Sequence, residues 1–162
     1  MSKVREETTL PEYTNGGYLD QINFSDTFAT TNHQSNLKEI THLVFNNPPK
    51  WIQWLFHLRN KLVNLLGLKT EIPADYNERF SIGGYIGFFK IFFISDTKIV
   101  LGANDTHLNF RAIVLNNNEA LYNIKVITLV QYNNAFGKVY MRAIAPFHRV
   151  VVKRMVKSAY KK

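Results

Sequence analysis

The chain has 162 residues, room for one domain, and its 46% hydrophobic and 20% charged content excludes disorder and fibre. It contains no cysteine, which excludes a disulfide-stapled scaffold, a thiolate metal site and cysteine nucleophile chemistry. The formal net charge of +8 is uneven: up to Thr97 nine Lys/Arg face ten Asp/Glu, whereas from Lys98 onward eleven face two.

In chain order, Met1 to Gly17 is polar, carries Pro11, Asn15 and the pair Gly16–Gly17, and reads as a flexible arm ahead of one domain spanning residues 18–162. Glu6 and Glu7 stand where a secretory signal needs an apolar stretch. The longest apolar run, Tyr85 to Ile94, is broken by Lys90 and far shorter than the roughly 20 residues of a membrane span. The expected location is therefore cytoplasmic. Ile22 to Thr31, rich in Thr and Phe, predicts a first strand. Ser35 caps a helix from Asn36 to about Phe45, with Leu37, Ile40 and Val44 on one face. Pro48–Pro49 then opens a second helix whose Trp51, Leu55, Leu58, Leu62 and Leu65 form a stripe, ended by Gly67.

After a loop from Lys69 to Arg79, strands are predicted over Tyr85–Ile94, Ile99–Ala103, Thr106–Leu115, Tyr122–Tyr132 and Gly137–Ile144. Their short turns imply an antiparallel meander, because parallel pairs need long crossovers. Pro146 opens the last helix. Phe147, Val151, Met155 and Ala159 recur every four residues on one face, and Arg149, Lys153, Lys157 and Lys161 recur about 200° away. A curled antiparallel sheet has an apolar face to cover, and this helix is the available cover. The fold class is α+β.

That order resembles the helix-grip arrangement of START-like and polyketide-cyclase-like proteins, a curved antiparallel sheet wrapped around a long C-terminal helix, with two helices after the first strand. Pro49-Lys50-Trp51-Ile52, Leu58-Arg59-Asn60-Lys61-Leu62-Val63, Gly67-Leu68-Lys69, the run from Leu101 to Arg111 and Pro146-Phe147-His148-Arg149 resemble an uncharacterised bacterial family, domain of unknown function 2867. The resemblance implies a fold and a pocket between sheet and helix, and no established activity.

Candidate residues follow from chemistry. Asp105, His107, Asn109 and Arg111 alternate with Leu108, Phe110, Ala112 and Val114, so the two sets face opposite sides of a strand. The polar set is either a wall holding an anionic or carbonyl-bearing ligand, with Asp105 and His107 as an acid/base pair, or a convex outer surface. Lys90, Lys125, Lys138 and Arg142 alternate similarly, which favours the outer surface. A metal on Asp105 and His107 is opposed by Arg111 on the same face. His148 either pins the last helix to the sheet or faces a cavity, and Arg59 within an apolar pattern calls for a carboxylate or carbonyl partner.

Gly83-Gly84-Tyr85-Ile86-Gly87 enters a strand and lacks the Lys-Ser/Thr of a phosphate loop. No Ser-nucleophile, paired-His or cofactor motif is present. Three functions remain. The first is binding of a small hydrophobic molecule, with Arg59, His107, Arg111 and His148 as ligand-binding residues. The second is a cyclase- or hydrolase-type enzyme using a pocket histidine. The third is an interaction module docking its basic helix on an acidic partner or a peripheral anionic membrane surface. Nucleic acid is disfavoured, since exposed aromatics do not interleave with the basic residues. Oligomeric state and ligand identity stay open.

Overall fold

A computed structural model describes residues 2–46, 48–50, 53–54, 57, 60–61 and 72–161. Its sheet has seven strands: β1 (Val4–Glu7), β2 (Phe24–Thr30), β3 (Tyr85–Ile86), β4 (Phe89–Ile94), β5 (Lys98–Asn104), β6 (Leu108–Asn116) and β7 (Ile124–Tyr132). Every pairing is antiparallel, in the order β1-β2-β7-β6-β5-β4-β3. Helices α1 (Pro11–Thr14), α2 (Leu37–Phe45) and α3 (Ala135–Ser158) complete the described elements.

The meander from β3 to β7 forms as the turn signals require. The expected strand Tyr85–Ile94 is a hairpin, because Gly87 adopts φ +61° between Ile86 and Phe89, a conformation costly for a side chain with Cβ. The first segment is not a free arm. Val4 to Glu7 pair with Thr30 to Thr27, while Tyr13, Tyr18, Leu19 and Ile22 pack on the outer cluster of Val100, Ile113, Ile127 and Leu129. Both faces of the sheet are therefore covered, one by the N-terminal segment and the other by α2 and α3.

The cap of α2 is Asn36, one residue beyond the expected Ser35. Asn36 Oδ1 accepts from the Glu39 amide (2.9 Å) and the Glu39 carboxylate accepts from the Asn36 amide (3.3 Å), a reciprocal pair that satisfies two orphan donors. The second expected helix lies largely outside the described residues; Lys50, Gln53, Trp54, His57, Asn60 and Lys61 are helical, and Arg59 is among those not described.

The expected strand Gly137–Ile144 is the first half of α3. Asn134 caps the helix, its Oδ1 accepting from the Gly137 amide at 3.0 Å, and Pro146 sits in mid-helix instead of opening it. A short apolar run fits both periods, and here the cap and the i, i+3/i+4 set Met141, Ile144, His148 decide for helix. Pro146 lacks an amide for the Arg142 carbonyl, a loss tolerated because Arg142 and Pro146 are both exposed.

Both ends of α3 are anchored. At the N-terminus Gly137 touches the β5–β6 turn so closely that a Cβ would lie 2.0 Å from the His107 carbonyl oxygen. At the C-terminus buried Asn32 donates from Nδ2 to the Ala159 carbonyl (2.7 Å), and the Lys161 amide donates to the Thr31 carbonyl (3.0 Å). Between those anchors the helix bridges the sheet.

Candidate functional site: an apolar cavity with a buried Asp–His pair

Residues of even number on β2, β6 and β7 face α3. Phe28, Ala112, Val114 and Val126 join the core with Met155, Val156 and Ala159. Toward the middle of the helix the contact opens into a cavity of about 200 Å³. Its sheet side is Leu108, Phe110 and Ala112 of β6 with Val126, Thr128 and Val130 of β7. Tyr140, Met141, Ile144, Val151 and Val152 line the helix side, and Phe45, Phe88 and Phe89 close in from α2 and the β3–β4 hairpin. Phe88 is 52% exposed, so it stands where the cavity meets solvent.

His148 is the one histidine among the described residues lining this cavity, and no described Asp, Glu, Lys or Arg lines it. Its Nε2 lies 3.3 Å from Asp26 Oδ2, with the Asp26 side chain 1% exposed and that of His148 22%. The Phe24 ring meets the imidazole edge-on at 5.8 Å. Neither Asp26 oxygen nor His148 Nε2 makes a well-formed hydrogen bond among the described residues. The two side chains are thus in close contact without a well-formed hydrogen bond between them. The carboxylate behind the imidazole fixes the orientation of a ring that also lines the cavity.

Of the sequence-predicted ligand-binding residues that are described, His107, Arg111 and His148, only His148 is placed in the cavity wall. The alternation of Leu108, Phe110, Ala112 and Val114 turns Arg111 to the other side of the sheet. There its guanidinium lies 3.8 Å from the centre of the Phe92 ring and donates to Asn104 Oδ1 and the Phe110 carbonyl, each at 2.8 Å. Burial there lowers its pKa. His107 sits in the β5–β6 turn, where Asn134 Nδ2 donates to its Nδ1 (3.0 Å) and its ring packs on Phe136 at 4.4 Å. Asp105 turns back to accept from the Thr106 amide (2.6 Å). The two therefore serve the turn that receives α3, and neither they nor Arg111 line the cavity.

Asp26 was absent from the sequence candidates. The signal was present: Phe24, Asp26 and Phe28 share one strand face, and a carboxylate between two Phe on a core-facing side needs a cationic partner. The described residues contain no group of three or more His, Cys, Asp or Glu arranged to hold a metal ion. No described helix is long and apolar enough to cross a membrane.

No curated protein and no solved structure matches the chain. One family model does, the protein of unknown function DUF2867, over residues 18–155. That match covers most of the sequence and includes the cavity, Asp26 and His148; the chain belongs to the DUF2867 family.

Proposed function

We propose that the protein binds one small, uncharged, mostly apolar molecule between sheet and C-terminal helix, in the manner of START-like helix-grip proteins. The observation that carries this reading is the cavity of about 200 Å³ lined by aliphatic and aromatic side chains. An engineered apolar cavity of about 150 Å³ takes up benzene, so the space suits a substituted aromatic ring or a compact terpenoid. His148, oriented by Asp26, supplies one polar contact for a hydroxyl or carbonyl. A carboxylate ligand is disfavoured, since it would add a second negative charge near Asp26 while Arg111 lies on the far side of the sheet.

Native mass spectrometry of gently purified protein, with extraction of any retained molecule, tests this. The expected result is one apolar compound per chain, lost in Ala112→Leu, whose added carbons occupy the cavity. Protein that arrives empty and takes up neither aromatic alcohols nor hydrophobic dyes would overturn it.

The contact between Asp26 and His148 also favours a second reading, a cyclase- or hydrolase-type enzyme with His148 as general base. It predicts that the retained molecule is chemically altered over time by the wild type and left intact by His148→Gln.

A further inference from the structure

Helix α3 carries three strips. One faces the sheet through Met141, His148, Val152, Met155 and Ala159. At about 100° per residue, Lys138, Arg142, Arg149, Lys153 and Lys157 occupy an adjoining arc of about 100°. Phe136, Val139, Ala143, Phe147 and Val150 fill the next arc of about 80°. That last strip points outward: Val139 and Phe147 are each 65% exposed and Val150 is 59%. The expected placement of Phe147 on the covered face with Val151 and Met155 is thereby corrected.

We propose that this outward side of α3 docks on an anionic lipid surface. The helix holds six Lys/Arg and no Asp/Glu, and among the described residues only Arg149 has an ion-pair partner, Glu6 at 3.4 Å. Lys138, Arg142, Lys153, Lys157 and Arg154, the last within the arc of Ala143 and Phe147, thus stand beside exposed Phe and Val without an ion-pair partner among the described residues, the pairing that a bilayer with acidic headgroups rewards on both counts. Branched aliphatics such as Val139 and Val150 give nucleic acid no stacking surface, so the apolar strip speaks against it. The long Lys and Arg stems let the charges reach headgroups while the strip enters the acyl boundary. The strip also borders the cavity, because Tyr140 and Ile144, which line it, follow Phe136, Val139 and Ala143 around the helix. An apolar molecule would then pass between bilayer and cavity without crossing water. Docking itself does not depend on the cavity being filled.

The test is flotation of the full chain with vesicles of phosphatidylcholine alone and of phosphatidylcholine with about 30% phosphatidylserine at low salt, then at about 0.5 M salt. Binding is expected only to the anionic vesicles and is lost at high salt. Arg142→Ala and Lys153→Ala each weaken it about fivefold. Phe147→Ser with Val150→Ser weakens it further, with unchanged circular dichroism and melting temperature. Equal binding to both vesicles, no binding to either, or binding that ignores all four substitutions would overturn the proposal. So would self-association abolished by the same substitutions, which would make a second copy the occupant. Ligand extraction failing while flotation succeeds would refute the cavity reading alone.

Discussion

Replacing His148 by Leu removes the one ion-pairing neighbour, among the described residues, of a carboxylate whose side chain is 1% exposed. At 3.3 Å and an effective dielectric of about 20, the attraction between Asp26 and a protonated His148 is about 5 kcal/mol. Desolvating the two groups offsets most of that gain, so the intact pair adds little net stability. Breaking it is another matter, because the Asp26 carboxylate then stays buried without a partner. Loss of a buried partner costs about 3 to 5 kcal/mol, and the 22% exposure of His148 places the expectation near 3. For a domain of this size that lowers the melting temperature by about 6 to 12 °C. The double variant Asp26→Leu/His148→Leu removes both charges and is expected within about 1 kcal/mol of wild type. Urea unfolding of wild type, both single variants and the double variant gives the coupling directly, provided the slopes agree. A His148→Leu loss below about 1 kcal/mol, or strict additivity of the two substitutions, would refute the claim that these side chains act as a pair.

Other consequences are equally specific. Gly137→Ala drives a Cβ against the His107 carbonyl and should cost about 1 to 3 kcal/mol, read by the same unfolding assay, whereas an outward Gly-to-Ala change in a helix normally stabilises. Leu19→Ser with Ile22→Ser uncovers the outer cluster around Ile127 and should cost about 2 kcal/mol, showing that the N-terminal segment is part of the packed structure. Burial pushes the Glu7 carboxyl up, but hydrogen bonds from Arg5 and Lys125, and their charges, outweigh it and hold the group below its ordinary value of 4.5. Because its folded value is depressed, this contribution is fully present above pH 4.5 and lost as pH falls below it. Melting temperature against pH should therefore drop less steeply in Glu7→Gln than in wild type in that acidic range.

Much of this architecture was readable from period and punctuation. The alternation of Leu108, Phe110 and Ala112 with Asn109 and Arg111 made two faces certain, and packing against α3 decides which one is inside. The segment 137–144 was misread because four or five apolar residues satisfy a strand and a buried helix alike, and Pro146 is usually a helix opener. The Asn134 cap and the close contact of Gly137 with the β5–β6 turn fix the start of the helix at Ala135. Phe147 looked like a core residue on spacing of four, yet a 24-residue helix held at both ends drifts relative to that spacing, and Phe147 turns to solvent. His148 could be named from its place near the corner, but its partner could not, since Asp26 is brought to it across the fold from β2.

The most direct measurement of the central claim is a crystal structure under xenon pressure. The account predicts a xenon site between Ala112, Val126 and Val151, beside His148 and within the cavity of about 200 Å³, and its disappearance in Ala112→Leu. A wild-type crystal with no xenon there, its space taken up by Phe45, Phe89 or Met155, would contradict the account and leave the sheet and helix with a filled core.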